Sequence, residues 1–257
     1  MKRSVAEIHP INSDQTSASR TIAESAYRRI RQDILWGRFA PGSPLRSDEL
    51  RARYGIGVSP LREALTRLVS ERLVTSVGQR GFRVAPLTAY DVEDTMQTRI
   101  IIEQEALIRS IRHGDMAWET TLVAAFHALS RHPVPKEPGP ATENWAVFHR
   151  QFHMALLSAC GSQWLMELAG LLFDQAERQR ILRTKFGPQK ILKRDTAREH
   201  KQIFEAAISR DAKAAVRALD SHYRTTAEQV VSVLSRIPKV VAKRARHFRA
   251  LTRAERP

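Results

Sequence analysis

The sequence predicts a mainly α protein: an N-terminal winged helix-turn-helix, helical with a small β-hairpin, followed by a C-terminal all-α helical bundle. Two observations predict it. Apolar residues recur at helical spacing along nearly the whole chain, the mark of amphipathic helices that bury one face. The one stretch with strand character, "VTSVGQRGFRVAP" (74–86), is short, bounded by turn residues, and follows three short helical segments.

Residues 1–20, rich in Ser, Thr, Asn and Asp, read as a mobile leader. "TIAESAYRRIRQDILWG" then puts Ile22, Ala26, Ile30, Ile34 and Leu35 on one stripe, with Thr21 as cap, Glu24 three residues on, and Gly37 as stop. "APGSPL" is a turn. "SDELRARYG" is a short helix with Ser47 as N-cap and Gly55 at its end. "SPLREALTRLVSERL" carries Pro60 in a first turn and faces Leu61, Leu65, Leu68 and Val69 one way. Val74 and Val77 mark one strand and Phe82 and Val84 the next, joined by a turn between Gly78 and Gly81. The winged domain therefore spans 21–86.

From Thr88 to about Pro238 the spacing is helical almost throughout, which makes 87–238 an all-α domain. Breaks fall at His113-Gly114, at "RHPVPKEPGP" (131–140), at Gly161 and at "FGP" (186–188). Residues 239–257 form a basic tail, either a basic helix on DNA or a solvated extension.

With 257 residues, 42% of them hydrophobic, the chain can bury two cores. Its net charge of +15 sits at the ends: 15 basic and 8 acidic groups in 1–86, 20 and 18 in 87–238, 7 and 1 in 239–257. That distribution fits a polyanion held by the ends, or simply a basic composition with solvated arginines. A single cysteine, Cys160, excludes an internal disulfide framework, and no signal sequence or apolar run of membrane-spanning length is present. The expectation is a soluble cytoplasmic protein with no membrane partner. No Gly-rich phosphate loop and no G-x-S-x-G elbow occurs.

"HRQFH" (149–153) sets His149 and His153 four apart, on one helical face, able to chelate one ion or to pack in a core. His200 in "REHKQIF" and His222 in "LDSHYRT" lie in other strongly amphipathic helices, and antiparallel packing can bring all four to one level. Buried, unpaired imidazoles are costly, and a divalent cation gives such a group a reason to exist. His9, His113, His127, His132 and His247 read as surface residues. A metal-dependent hydrolase could use the same cluster, but "HRQFH" lacks the glutamate of H-E-x-x-H, so no catalytic residue is assigned. A nonspecific nucleic-acid packaging protein would explain the charge but not the balanced, histidine-bearing bundle.

"LREALTRLVSERLVTSVGQRGFRVAP" resembles the winged-helix signature of GntR-type bacterial transcription regulators. "TRIIIEQEAL", with Arg99 and Glu103, followed by "FH" at 152–153, "EH" at 199–200, "RDAKAAVRAL" and His222, resembles the FCD effector domain of their FadR subgroup. The resemblance covers about residues 21–230 and implies a homodimeric, ligand-responsive repressor of carboxylate catabolism acting on a double-stranded DNA operator. It implies a divalent metal on His149, His153, His200 and His222, facing a small carboxylate. "SPLREAL", "ERLVT", "HRQFH" and "ACGS" resemble a carbon-starvation branch, which suggests a dicarboxylate such as glutarate or a related hydroxy acid. Arg99 is the natural second anchor for a carboxylate, or else a structural partner of Glu103, and Arg178 is a further candidate.

On the DNA side the helix at Pro60 is expected in the major groove, with Ser59 and Arg62 near bases or phosphates, and Arg46 and Ser47 on the backbone. Gln79, Arg80 and Gly81 form the wing tip. Arg67 and Arg72 are weaker candidates, read first as a solvated helix face. Two departures matter. Most of the family opens the recognition helix with Ser-Arg-Thr-Pro, where this chain has Gly57-Val58-Ser59-Pro60, so the guanine-reading arginine is absent. Most FCD domains place Asp where this chain has His149, and four nitrogens shift the preference toward zinc or nickel.

Overall fold

The computed structural model describes residues 13–78, 81–135, 139–187 and 194–236. Two compact units divide the chain: residues up to Asp33 together with Ser43–Ala85, and Ile34–Gly42 together with the chain from Pro86 onward.

The first unit opens with α1 (Ser13–Leu35), which starts eight residues before Thr21. "SDQTSASR" contains no glycine or proline to stop the helix from extending backward, so the second part of the expected leader is helical and Thr21 is not a cap. After β1 (Pro44–Leu45) come α2 (Ser47–Tyr54) and α3 (Val58–Ser70). The N-cap of α2 is Arg46 rather than Ser47, and no side chain caps it; Asp48 and Glu49 in the first turn supply the negative charge that this end favours. Gly55 ends α2 at φ 66°, a left-handed conformation that glycine adopts without strain and that makes the tight turn into α3.

The wing is a three-stranded antiparallel sheet in the order β1, β3, β2, with β2 at Val74–Ser76 and β3 at Phe82–Val84. Val74 pairs with Val84 and Leu45 with Phe82. The third strand, β1, has only two residues, too few for an alternating pattern, and is not predicted. Ile30, Leu50, Leu61, Leu65, Leu68 and Leu73 are all but fully buried and form this unit's core. Tyr54 and Arg53 both donate to Asp33, at 2.6 and 2.8 Å, which ties α2 to α1.

The second unit holds α4 (Ala89–His113), α5 (Met116–Ser130), α6 (Pro140–Leu157), α7 (Gln163–Phe186), α8 (Thr196–Ile208) and α9 (Ala212–Leu234). Side-chain oxygens start most of them. Thr88 and Asp91 form a reciprocal capping box on α4, and Asp115, Ser162, Asp195 and Asp211 cap α5, α7, α8 and α9. The extensive packing is of α4 on α9 and α7, α8 on α9, and α5 on α6. Phe152, Leu107, Leu122, Leu156 and Ile203 anchor one apolar core, and Leu87, Val92, Leu182 and Val230 a smaller one. Buried among these helices are four histidines, His149, His153, His200 and His222.

Candidate functional site

Helix α6 carries His149 and His153 one turn apart on the face turned inward, while α8 and α9, packed side by side, present His200 and His222. All four are buried, none more than 7% exposed. One ring nitrogen from each lies within 4.8 Å of the others. Ring centroids stand 4.6 Å apart for His149 and His153 and 4.7 Å for His200 and His222. The expected grouping of four imidazoles is therefore present, and it could hold a metal ion.

The nitrogens divide into held and unpartnered atoms. Nδ1 of His222 lies 2.7 Å from Glu199, and Nδ1 of His153 lies 3.2 Å from the Tyr223 hydroxyl, which itself donates to Glu103. Nε2 of His153, Nε2 of His200 and Nδ1 of His149 have no hydrogen-bond partner among the described residues. The Glu177 carboxylate stands 3.6 Å from His149 Nδ1, too far for a hydrogen bond though near enough to act through charge. Buried nitrogens without partners are costly, and a cation is the partner that neutral imidazoles accept best. The residues fit a metal.

Burial keeps the imidazoles neutral. It lowers His149 and His222 to about 4, against the pull of Glu177 and Glu199, and drives His153 and His200 well below the ordinary value, with neighbouring histidines adding to the effect. Burial would raise Glu177, yet the Arg180 guanidinium holds it below the usual carboxylate range. Glu199 is likewise lowered to about 2 against its burial by His222 and Arg194.

Around the histidines lies a cavity lined by Arg99, Trp145, Glu177, Arg180, Arg183 and Arg194 among others. Its volume is only about 30 Å³. That admits an ion and one or two waters, but not a dicarboxylate without movement of the walls.

Arg99 lines this cavity and is paired with Glu103, Nε to Oε1 at 2.6 Å, the structural pairing that the sequence offers as the alternative to a carboxylate anchor. Its guanidinium also lies 4.0 Å from the Tyr223 ring centroid. Arg178 does not line the cavity. Two positions before Arg180, it points some 200° around α7, and its guanidinium donates to the Pro86 carbonyl at 3.2 Å. The sequence reading misses Glu177, Arg180, Arg183, Arg194, Glu199 and Tyr223. Glu177, Arg180 and Arg183 at three-residue spacing mark one polar stripe on α7 and offered a signal. His132 is not a surface residue: half-buried, it stacks on Phe148 at 4.0 Å and its Nδ1 lies 2.8 Å from the Ala128 carbonyl. His113 and His127 are exposed, and His9 and His247 fall outside the described residues.

In the first unit Arg46, Ser47, Ser59 and Arg62 are all exposed. Arg46 pairs with Glu49 at 3.1 Å, whereas Arg62 makes no ion pair among the described residues. Arg67 is not a free cation: it pairs with Glu24 at 2.6 Å and covers the Tyr27 ring, bracing α3 against α1. Arg72 is exposed at φ 58°. Gly81 takes φ 83°, while Gln79 and Arg80 lie outside the described residues, as does the tail from residue 237.

Residues 22–84 match the bacterial regulatory proteins of the gntR family, and residues 94–225 match the FCD domain. The chain is 35% identical over 209 residues to the HTH-type transcriptional regulator BphR of Paraburkholderia xenovorans strain LB400, covering 80% of this chain and 84% of that one. The chain belongs to the gntR family, with an FCD domain. It is also 34% identical over 202 residues to the HTH-type transcriptional repressor GlaR of Escherichia coli K12, covering 77% of this chain and 91% of GlaR. As a gntR-family regulator it shares its fold with a GntR regulator from Rhodococcus sp. RHA1, at a TM-score of 0.65 and 20% identity over 82% of this chain and 98% of that one. Escherichia coli McbR/YncC gives the same TM-score at 18% identity, over 84% and 97%. These relatives are named as regulators, which fits a non-enzyme and sets the hydrolase alternative aside. Among the described residues no helix is long and apolar enough to cross a membrane.

Proposed function

We propose that this gntR-family regulator is a cytoplasmic homodimeric repressor that releases its operator in response to a small carboxylate, and that it holds one divalent cation, zinc or nickel, on His149, His153, His200 and His222. The observation that carries the reading is the set of buried imidazoles with one ring nitrogen each within 4.8 Å of the others, three of the four rings having a nitrogen without a hydrogen-bond partner among the described residues. An all-nitrogen set favours zinc or nickel over oxygen-seeking ions. The cation, when bound, supplies Lewis-acidic positive charge at the cavity. A dicarboxylate such as glutarate or a related hydroxy acid is the effector class that the sequence resemblance implies, and the repressor sense rests on the likeness to GlaR.

The chain's own residues do the rest. Glu199 and Tyr223 hold the His222 and His153 rings in place, and Glu103 with Arg99 holds Tyr223. Because the cavity is too small for a dicarboxylate, entry of one displaces its walls, α7 among them. On the opposite side of α7, Arg178 grips Pro86, so displacement of this helix reaches the segment Pro86–Val92 at the start of the unit. On DNA, α3 would enter the major groove with Ser59 and Arg62, while Arg46, Ser47 and the wing at Gln79, Arg80 and Gly81 contact the backbone or the minor groove.

A thermal-shift screen tests the reading. Zinc or nickel should raise the melting temperature of metal-stripped protein, and short carboxylates should raise it further only when metal is present. Protein indifferent to both ions would show that the histidines are core packing.

A further inference from the structure

Among the described residues the cavity holds one more positive charge than its paired carboxylates neutralise. Three of its four arginines have a carboxylate of their own: Arg99 has Glu103 at 2.6 Å, Arg180 has Glu177 at 2.9 Å, and Arg194 has Glu199. Arg183 has none. One turn from Arg180 on α7 and 5% exposed, it bonds the neutral amide of Gln229 on α9, and its Nε has no partner among the described residues. Nη1 of Arg180 is also buried and unpartnered, and both side chains line the cavity. Burial lowers Arg183 to about 10, and the nearby Arg180 and Arg194 add to the effect. A buried guanidinium without a counter-charge is costly and is most readily relieved by an anion that it can grip through two donors.

We infer that Arg183, with the free Nη1 of Arg180, is an anion subsite distinct from the histidine cluster, so that the effector is a small dianion with one carboxylate at the histidines and the other on Arg183. The inference rests on the proposed carboxylate response and deepens it. Arg99 is the weaker second anchor: like Arg180 it is held by a carboxylate and an aromatic ring, but unlike Arg180 and Arg183 it has no buried nitrogen left without a partner among the described residues. Arg183 is free of both constraints. It is a specificity residue: a monocarboxylate would satisfy the histidine end and leave this cation uncompensated.

The test is calorimetric titration of the full-length, metal-loaded protein with unbranched dicarboxylates from malonate to adipate and with monocarboxylates of matching length. In the wild type the best dicarboxylate should bind about tenfold tighter or more than its monocarboxylate counterpart, as expected for a charge-assisted pair. Arg183→Gln should bring the two affinities together while metal content and monocarboxylate affinity stay unchanged. Arg183→Lys should keep part of the preference, and Gln at this position should not lower the melting temperature of the ligand-free protein. Equal affinities in the wild type, or a full preference retained in Arg183→Gln, would overturn the subsite alone. Binding of no carboxylate at all would overturn it together with the functional reading on which it rests.

Discussion

Glu199 and His222 face each other with the carboxylate oxygen 2.7 Å from Nδ1, and the same carboxylate is bound by Arg194. The contact fixes the imidazole's tautomer and leaves Nε2 as its only free nitrogen. Glu199→Ala should therefore lower zinc affinity by about 10–100-fold, the usual cost of losing a carboxylate behind a histidine ligand. Competition with a chromophoric chelator measures it. Glu205→Ala, on the same helix but exposed and paired only with Lys201, is the control and should leave affinity unchanged. Equal affinities in both variants would remove Glu199 from the site.

The metal-free fold should lose stability in acid. Burial lowers His149 and His222 to about 4 in the fold and drives His153 and His200 well below their ordinary value, whereas in the unfolded chain all four take up a proton near 6.5. Between those values the unfolded state binds more protons, so stability rises with pH and is lost as pH falls from about 6.5 toward 4. Each histidine that stays neutral contributes up to about 1.4 kcal/mol per pH unit. Glu199 acts in the same direction in a lower window, from about 4.5 down to about 2. Urea unfolding of chelator-treated protein at pH 7 and pH 5 reads the upper window. An unchanged midpoint would mean that the imidazoles are solvated rather than buried.

The helices and the histidines are legible in the sequence for one reason: each announces itself through periodicity. His149 and His153 are a turn apart, and His200 and His222 sit on the apolar faces of α8 and α9, where a polar ring is conspicuous. The arginines are not legible on the same rule. A guanidinium on a helix ordinarily marks the solvent side, but α7 is covered on several sides, and Glu177, Arg180 and Arg183 point into the protein. The further candidate Arg178 lies some 200° around α7 from Arg180, off the cavity. The third wing strand is hidden for a different cause, since Pro44 and Leu45 gain their pairing from Arg83 and Phe82, far along the chain.

The two arginines of α3 should separate in their effects. Arg62 is exposed and unpaired, so Arg62→Ala should weaken operator binding and lower the salt slope by about one unit while leaving the melting temperature alone. Arg67 is held by Glu24 and the Tyr27 ring, so Arg67→Ala should lower stability first. Filter binding across salt concentrations, beside thermal unfolding, distinguishes the two. Unchanged DNA affinity in Arg62→Ala would mean that another face meets the operator.

A single winged unit offers few base contacts, and this chain lacks the arginine that most of its family places at position 58, where Val58 stands. Useful discrimination then needs two copies on one site. Light scattering should give a dimer, and footprinting should protect a pseudo-palindrome of two short half-sites. A monomer protecting one half-site would overturn the dimeric reading.

His153 is the residue through which the site can be removed whole. It is 1% exposed, and its ring has His149, His200, His222 and Tyr223 within 6 Å, centroid to centroid. Two ligands come from one turn of α6 and two from α8 and α9, so a bound ion would add a cross-link to helices that otherwise meet through packing and a few hydrogen bonds, and its loss should be felt as lost stability. Metal analysis of purified wild type should find about one divalent ion per chain, and His153→Ala should lose it. Ser59 and Arg62 belong to the other compact unit, so the variant should still bind operator DNA but fail to release it when effector is added. His153→Gln, close in volume, separates loss of the ligand from loss of packing: it too should be metal-free and unresponsive, with a smaller drop in apo stability. A variant that keeps its metal, or keeps its response without one, would detach the histidines from the switch.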